Sequence, residues 1–247
     1  MKLILITGAN SQIGSFLAKA YRAEGYQLLL LYHNRNDRLR EFVSDAGCLL
    51  QPVDLGDPLA ITTALDKSKK HFGCYPSSLI HCAAIRSSDA MPIEKTEPAL
   101  FTKVFNTNVM SAYNVLQCII PFMKENCQGR IVLFGSSVTR SGLKNGSAYA
   151  ASKAAITNIV KSVAIEVAPY GILINAISPA PVETELEEDY SGEYLDFRKA
   201  YFKAHKESAP TGKLVTKQEI KLVVDMLISD VLQNLTGEEI LLTGGIL

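Results

Sequence analysis

Apolar runs of strand length alternate with stretches of helical length along the whole chain. Leu3–Thr7 is a short continuous apolar run, as expected of a parallel strand that is buried on both faces. Ser15–Glu24 follows with apolar residues at helical spacing, and Gly25 ends it. Six further strands are predicted, over Gln27–Tyr32, Cys48–Val53, Ser78–Ala83, Arg130–Ser136, Ile172–Ile177 and Glu239–Thr243. Further helices are predicted over roughly 37–46, 58–72, 97–125, 148–168 and 216–228.

Strands and helices alternate in this pattern, and no two predicted strands are consecutive. The pattern therefore predicts an α/β fold: a single-domain doubly wound (Rossmann) parallel sheet of about seven strands, with helices on both faces and right-handed crossovers. No linker, repeat or break in composition divides the chain, so we expect one domain over 1–247.

Pro179–Thr216 is the irregular stretch of the pattern, with three prolines and an acidic run from Glu183 to Asp189. Ligands of doubly wound folds bind beyond the carboxyl ends of the strands, so a segment after the sixth strand would hang over that site. We expect a substrate lid at about 185–208, which contains five aromatic residues suited to covering a ligand. The alternative is an ordinary amphipathic surface helix with its aromatic residues in the core.

The composition is that of a globular protein, with 47% hydrophobic and 20% charged residues among 247. Lys+Arg and Asp+Glu both number 25, so charge gives no indication of a nucleic-acid or membrane partner. The five cysteines form no C-x-x-C pair and indicate reduced thiols in a cytoplasmic protein. The four histidines show no metal-ligand spacing, so we expect no metal.

A loop of small residues lies where the first strand turns into the first helix. Small residues let the backbone approach a pyrophosphate, and the helix N-terminus supplies donors and a favourable dipole. The middle glycine that is usual in such loops is replaced by Gln12, so a tight turn without a ligand is the alternative for this segment alone. The candidate phosphate-binding residues are Gly8, Asn10, Ser11, Gln12, Ile13 and Gly14.

Tyr149 and Lys153 form a Y-x-x-x-K pair within a predicted helix. Residues four apart share a helix face, so the phenol and the ammonium can point into one site. A nearby ammonium favours the phenolate and lowers the tyrosine pKa toward the range in which proton transfer is efficient. The pair alone is weak evidence, since two surface residues can have this spacing by chance.

Three other motifs accompany the pair in a fixed order. Ser136 ends the fifth strand 13 residues before Tyr149, Asn108 lies in Asn-Thr-Asn-Val within a long helix, and Asn175–Pro179 ends the sixth strand with Thr184 beyond it. With these motifs the chain resembles the short-chain dehydrogenase/reductase family over nearly all of its length. Its overall sequence pattern most resembles that of the 3-oxoacyl-carrier-protein reductases of that family.

The resemblance implies a catalytic role for four residues. Tyr149 would exchange a proton with the carbonyl or alcohol oxygen, and Lys153 would lower the tyrosine pKa and bind the nicotinamide ribose. Ser136 would hold the substrate oxygen, and Asn108 would hold a water that links Lys153 to solvent. The hydride chemistry belongs to a nicotinamide cofactor, which the protein positions.

The resemblance also implies cofactor contacts outside the first loop. Asp54 would contact the adenine, and Thr184 with the backbone near Val182 would hold the carboxamide. The implied set beyond the loop is Asp54, Leu55, Cys82, Ala83, Tyr149, Lys153, Pro179, Val182 and Thr184. The chain departs from the family where Asn-Asn-Ala-Gly is replaced by His81-Cys82-Ala83-Ala84 and Pro-Gly by Pro179-Ala180. Cys82 is interpreted as a small buried residue rather than a reactive thiol.

The end of the second strand predicts a preference for NADP(H) over NAD(H). An acid at this position binds the ribose 2′-hydroxyl and repels a 2′-phosphate, but the position falls on Tyr32. Arg35 offers a planar fork suited to phosphate, and His33 could add a donor. The alternative is that Arg35 is a solvated charge in a polar stretch that also contains Arg38.

The sequence predicts an enzyme acting on a small-molecule carbonyl or alcohol, with no nucleic-acid or membrane partner. A 3-oxoacyl-thioester reductase is one alternative, although the positions where such enzymes carry carrier-docking basic residues fall on Cys127 and Tyr170. A catalytically inactive dinucleotide sensor is the alternative from another class. More than one face of helices 97–125 and 148–168 looks apolar, so we expect a homo-oligomer, most simply a tetramer.

Overall fold

The apolar runs of the sequence form one parallel sheet of seven strands, in the order β3-β2-β1-β4-β5-β6-β7. The structure, a computed structural model, describes residues 2–86 and 91–246. The strands are β1 (Leu3–Thr7), β2 (Gln27–Tyr32), β3 (Cys48–Pro52), β4 (Ser78–His81), β5 (Gly129–Phe134), β6 (Ile172–Pro179) and β7 (Glu239–Leu242). This order confirms the predicted doubly wound architecture.

Helices connect the strands and cover the sheet. They are α1 (Gln12–Ala23), α2 (Pro58–Phe72), α3 (Pro98–Phe105), α4 (Ser111–Glu125), α5 (Val138–Ser141), α6 (Ser147–Val167), α7 (Leu186–Asp189), α8 (Gly192–Ser208) and α9 (Lys217–Ile228). Short 3-10 turns lie at Asp37–Phe42, Ile93–Lys95 and Ala168–Tyr170. Among the described residues, no helix is both long and apolar enough to span a lipid bilayer.

Successive residues of each strand point to opposite faces of the sheet, which gives the protein two apolar layers. On one face Ile4 and Ile6 of β1 pack with residues of α1 and α9. On the other face Leu5 packs with residues of α2, α4 and α6. Both faces are covered, which is why the strands read as continuous apolar runs rather than as alternating ones.

The strand order reverses between β1 and β4, because the chain runs outward from β1 to β3 and then returns to the other side of β1. A crevice forms at such a reversal, beyond the carboxyl ends of the strands, and it is the usual ligand site of these folds. The loops that follow β1, β4, β5 and β6 all open onto this crevice.

Three predicted elements differ in the structure. The helix predicted over 37–46 is a 3-10 turn over Asp37–Phe42, because Leu39 and Phe42 are its only buried residues. The long helix over 97–125 is interrupted by a π-helical turn at Asn106–Met110. The stretch Pro179–Thr216 is not irregular, since it contains α7 and the 17-residue α8.

Candidate active site

Two adjoining cavities occupy the crevice. One, which we call the tyrosine cavity, has a volume of about 440 Å³ and is lined by Ser136, Tyr149 and Lys153. The other, the β2 cavity, has a volume of about 550 Å³ and lies at the end of β2 beside Tyr32 and His33. They share the lining residues Ser11, Cys82, Ala84 and Ile85, so a single elongated ligand can extend through both.

The first loop is built for close backbone approach. Gly8 has φ +62°, and a Cβ there would lie 2.6 Å from the Ala83 backbone. A Cβ on Gly14 would lie 2.5 Å from the Gly8 carbonyl oxygen. Ser11 caps α1 by accepting from the Gly14 amide at 3.0 Å. Glycine is required at both positions, which brings the helix N-terminus, with Ile13 in its first turn, to the wall of the tyrosine cavity.

Gln12, which replaces the usual middle glycine, contacts the segment after β6. Its amide nitrogen donates to the Glu185 carbonyl at 2.7 Å and to the Asp189 carboxylate at 2.9 Å. Its carbonyl oxygen accepts from the Glu185 amide at 2.8 Å. The expectation that this side chain faces a phosphate is therefore not met. Instead it ties the first loop to the predicted lid, because its amide is fully engaged there.

The β2 cavity is lined by several of the residues predicted to bind the cofactor, among them Asp54, which was predicted to contact the adenine. Asn10, His33, Asp54, Leu55, Cys82 and Ala83 all line it. The Asp54 carboxylate accepts from the Gly56 amide at 2.8 Å, which fixes the turn after β3.

Arg35 and Arg38 follow β2 in the chain, and neither lines the β2 cavity. Arg35 is 69% exposed and forms an ion pair with Asp37 on the surface. Arg38 is only 18% exposed, and it donates to the Asn10 carbonyl at 3.1 Å and to Glu188 and Asp189 at 2.7 and 2.8 Å. Arg38 therefore joins the first loop to α7. The sequence interpretation placed it only in a polar stretch, because the three-dimensional proximity of residues 10 and 188 has no local signal.

Tyr149, Lys153 and Ser136 come together in the tyrosine cavity. Tyr149 and Lys153 lie one turn apart on α6, and both are buried. Lys153 Nζ donates to the Phe134 carbonyl at 2.7 Å and lies 5.8 Å from the centre of the Tyr149 ring. Ser136 lies just beyond β5 and lines the same cavity, where its hydroxyl helps to lower the Tyr149 pKa. The four-residue spacing thus places both groups in one site, as a helix face requires.

The pKa of Tyr149 is lowered in this setting. Burial alone would raise it, but the charges of Arg86 and Lys153 and the Ser136 hydrogen bond together outweigh burial. Burial lowers the pKa of Lys153, and the adjacent Tyr149 partly offsets that effect. Arg86 contributes more to the Tyr149 pKa than Lys153 does, and its guanidinium lies 4.9 Å from the centre of the tyrosine ring.

Asn108 lies in the π-helical turn between α3 and α4. Its side chain accepts from the Ile85 amide at 2.7 Å and donates to the Ile85 carbonyl at 2.8 Å and to Ser152 Oγ at 3.0 Å. These contacts join the loop after β4 to α6. Single π-helical turns within α-helices are frequent at functional sites, because the extra residue redirects the local backbone.

Two departures from the family pattern have clear structural roles. His81 is buried, and its Nδ1 lies 2.8 Å from Thr7 Oγ1, which joins β4 to β1. Burial and the charge of Lys153 lower the pKa of His81 to about 3, so the ring is neutral at ordinary pH. Cys82 is half-buried rather than fully buried as expected, and desolvation raises the pKa of its thiol to about 12, which disfavours the reactive thiolate.

The segment after β6 forms the remaining wall of the tyrosine cavity. Pro179, Val182 and Thr184 line it, as predicted for residues near a carboxamide. Thr184 donates to the Val182 carbonyl at 3.3 Å. Leu186 and residues of α8 complete the wall, so the predicted lid lies against the cavity that contains Tyr149. Arg86 and Arg198 line the same cavity and were missed in the sequence, since neither belongs to a local motif.

The fold and the site together define a class of protein. A reversal of strand order with two connected cavities suits a dinucleotide, and a buried tyrosine with a lowered pKa suits proton transfer beside it. A family model described as enoyl-(acyl carrier protein) reductase matches residues 8–246. The chain belongs to the short-chain dehydrogenase/reductase family and is an oxidoreductase of carbonyl or alcohol substrates.

Named relatives cover nearly the whole chain. The 3-oxoacyl-[acyl-carrier-protein] reductase FabG of Escherichia coli (strain K12) is 29% identical over 246 residues, which are 99% of this chain and 96% of that protein. The structure of ElxO with NADP bound superposes with a TM-score of 0.87 at 25% identity, covering 99% of this chain and 98% of that one. A NAD+-bound xylitol dehydrogenase superposes equally well, at 26% identity and with the same coverage.

Proposed function

We propose that this protein is an NADP(H)-dependent oxidoreductase that interconverts a ketone and a secondary alcohol, with Tyr149 as the general acid and base. The observation that carries the proposal is the position of Tyr149 in the tyrosine cavity, where its pKa is lowered by cations and by Ser136. A phenol with a reduced pKa can give a proton to a carbonyl oxygen and regain it at neutral pH.

The residues present fit a nicotinamide dinucleotide. The β2 cavity would hold the adenosine half beside Asp54 and Leu55, and the loop at Gly8 and Gly14 leaves room for a pyrophosphate against the N-terminus of α1. The tyrosine cavity would hold the nicotinamide against Pro179, Val182 and Thr184. When bound, the nicotinamide supplies or accepts the hydride.

The NADP(H) preference rests on charge at the end of β2. Tyr32 occupies the position at which an acid would repel a 2′-phosphate, and His33 lines the β2 cavity. Arg35 stays the predicted phosphate ligand, and Arg38, which contacts Asn10, is a second candidate. Of the similar structures, ElxO contains NADP and xylitol dehydrogenase contains NAD+, so cofactor type varies within this fold.

The protein's own groups complete the proton path. Ser136 would hold the substrate oxygen next to the Tyr149 hydroxyl, because both side chains line the tyrosine cavity and Ser136 helps to lower the Tyr149 pKa. Lys153 is fixed by the Phe134 carbonyl, which leaves its other donors for a cofactor ribose. Asn108 holds the loop after β4 against α6 and so keeps this wall of the cavity in place.

A 3-oxoacyl-thioester reductase is the second candidate. It is favoured by the similarity to FabG and to the acetoacetyl-CoA reductase of Shinella zoogloeoides, which is 28% identical over 244 residues. Acetoacetyl-CoA therefore belongs in any substrate panel.

The test is turnover of a panel of ketones, oxo acids, sugars and acetoacetyl-CoA, followed as absorbance of NADPH and of NADH. Tyr149→Phe should retain cofactor binding and lose turnover by about 10² or more. Near-normal turnover by that variant would contradict the mechanism. Cofactor binding by the wild-type protein with no turnover of any carbonyl would indicate the catalytically inactive sensor instead.

We also propose that the protein is a homo-oligomer, most simply a tetramer. Exposed apolar side chains on and beside α3, α4 and α6 support this, including Phe101, Met110, Tyr113 and Ile165, which is 80% exposed. Large exposed apolar residues that share a surface are typical of an interface. Light scattering at micromolar concentration should give a multiple of the 27.0 kDa chain mass. A monomer mass would contradict the proposal.

A further inference from the structure

Two arginines line the tyrosine cavity. Arg86 lies just beyond β4 in the loop held by Asn108, and its guanidinium is 4.9 Å from the centre of the Tyr149 ring. Arg198 lies on α8, in the predicted lid, and is only 3% exposed. Both line the same cavity as Ser136 and Tyr149. With Lys153, this places three cationic side chains around the position of the reacting carbonyl.

Within residues 2–86 and 91–246, neither arginine has a carboxylate partner at ion-pair distance. Asp189 is the only acid among the described residues that line the cavity, and its two oxygens are bonded to Gln12 and Arg38. Arg22 and Arg38, by contrast, each form an ion pair with at least one acid.

Arg198 is held by aromatic rings rather than by an anion. Its guanidinium lies 4.8 Å from the ring centre of Phe202 and 5.6 Å from those of Tyr190 and Tyr201. Its Nε is buried and has no hydrogen-bond partner among the described residues. A buried donor without a partner is costly, and a buried charge without a counter-ion is more so. The aromatic rings therefore hold the guanidinium in place while its Nε donor stays available to a ligand.

The two guanidinium groups also act on each other. Both line one cavity, and the pKa of Arg198 is lowered by burial and, to a smaller extent, by the charge of Arg86. Two like charges that share a cavity without a resident anion form a site for one. Guanidinium groups bind carboxylates and phosphates through paired hydrogen bonds, which makes an oxyanion the matching ligand.

We propose that the substrate carries an anionic group, a carboxylate or a phosphate, a few bonds from its carbonyl, and that Arg86 and Arg198 bind this group while Ser136 and Tyr149 bind the carbonyl oxygen. The substrate is then a small oxo acid or oxo phosphate, or the matching hydroxy compound in the reverse direction. The proposal rests on the proposed function, because it names the substrate class of the same site.

The experiment compares each anionic substrate with a neutral analogue of the same shape. The pairs are 2-oxobutanoate, 3-oxobutanoate and 4-oxopentanoate with their amides, and dihydroxyacetone phosphate with dihydroxyacetone. At least one anion should exceed its neutral partner in kcat/KM by about 10² or more, because hydrogen bonds from charged donors are stronger than neutral ones. The acid pairs and the phosphate pair distinguish a carboxylate from a phosphate.

Variants assign the preference to the two arginines. Arg86→Gln and Arg198→Gln should each lower the ratio of kcat/KM for the anion to kcat/KM for its neutral analogue by about 10-fold or more. Arg198→Lys should restore part of the loss, since it keeps the charge without the planar fork. Lys203→Gln removes an exposed charge from the same helix and should change neither value. Cofactor binding by each variant shows that it is folded.

Binding to the cofactor-loaded protein gives a readout that is independent of turnover. If no carbonyl is reduced, the proposed function fails. The anion site would still be supported if calorimetry showed that the wild-type protein binds the acid but not the amide, and that Arg198→Gln no longer binds the acid. Equal kcat/KM and equal affinity for anions and neutral analogues would overturn the site while leaving the proposed function intact. An equal loss for both members of a pair in Arg86→Gln would overturn the role of Arg86 and leave it acting only through Tyr149.

Asp89 follows Arg86 by three positions and lies outside the described residues. Asp89→Asn therefore belongs in the same series. The proposal expects the wild-type protein to prefer the anion already. If only Asp89→Asn preferred the anion over its neutral analogue, the proposal would be overturned. The counter-ion of the two arginines in the wild-type protein would then be the Asp89 carboxylate and not the substrate.

Discussion

The three hydrogen bonds of Gln12 should control how firmly the predicted lid is docked. Gln12→Ala removes the bonds to the Glu185 carbonyl, the Glu185 amide and the Asp189 carboxylate, at 2.7, 2.8 and 2.9 Å. It leaves the bonds from Arg38 to Glu188 and Asp189 in place. The change is therefore a partial undocking of α7 from the first loop, rather than a loss of the fold.

The size of the effect follows from the kinds of bond that are lost. The two bonds between neutral groups contribute about 1 kcal/mol each, and the bond to ionised Asp189 contributes about 1.5–3 kcal/mol. Holding a glutamine side chain in one rotamer costs up to about 2 kcal/mol, which alanine does not lose. The net loss is about 1.5–3 kcal/mol, or roughly 10- to 150-fold in the docking equilibrium.

Hydrogen exchange measures this equilibrium directly. Backbone amides in 185–189 should exchange about 10- to 150-fold faster in Gln12→Ala, while amides of β1 and β4 should not change. Gln51→Ala on β3 is the matched control, since its side chain bonds Lys67 far from the lid. Exchange in 185–189 that is as slow in Gln12→Ala as in the wild type would refute the reasoning. It would also favour the alternative that 185–208 is a fixed part of the core.

Three further predictions concern the chemistry and the cofactor. Lys153→Ala should lower turnover by about 10² or more, measured by kinetics, and should weaken cofactor binding, measured by fluorescence titration. An unchanged affinity for the cofactor would contradict the role of Lys153 in cofactor binding. Alcohol oxidation needs ionised Tyr149, so its rate should rise with pH to a midpoint below the ordinary tyrosine pKa. Arg86→Gln should move that midpoint to higher pH, because it removes the largest influence that lowers the Tyr149 pKa, and an unmoved midpoint would contradict this assignment. Arg38→Ala should raise the KM for NADPH more than the KM for NADH, and more than Arg35→Ala does; equal effects on both cofactors would show that Arg38 only holds the lid.

The strands could be predicted because a parallel sheet covered on both faces requires continuous apolar runs. Leu28–Leu31 of β2 is fully buried, and its four consecutive leucines match the continuous apolar run expected of such a strand. Helix α8 could not be predicted in the same way, because Arg198 and Phe202 are its only buried residues and they form no apolar stripe. Its stability comes from contacts with the rest of the chain rather than from its own periodicity.

The residues of the candidate site likewise fall into those that a local pattern predicts and those that it does not. Tyr149 and Lys153 could be paired from the sequence because their spacing on one helix fixes their relative position. Arg86, Arg198 and Arg38 are three of 25 basic residues, and no spacing rule distinguishes them. The partners of Gln12 lie 173 and 177 residues away in the sequence, and no local pattern indicates them. The sequence interpretation therefore assigned the Gln12 amide to a cofactor phosphate, because Gln12 lies in the phosphate-binding loop.

The cations of the tyrosine cavity connect the proposed substrate to the direction of the reaction. Without an anion in the cavity, Arg86 and Lys153 hold the pKa of Tyr149 below its ordinary value and favour the phenolate. An anionic group bound between Arg86 and Arg198 would offset part of this charge, and the proton affinity of Tyr149 would rise. An oxo acid would therefore bind next to a tyrosine that more often holds the proton it must donate, and a hydroxy acid would bind next to a tyrosine that is less often ionised and so less often able to accept a proton. For a substrate of this class, binding of its anionic group would therefore keep Tyr149 more fully in the protonated form that reduction requires.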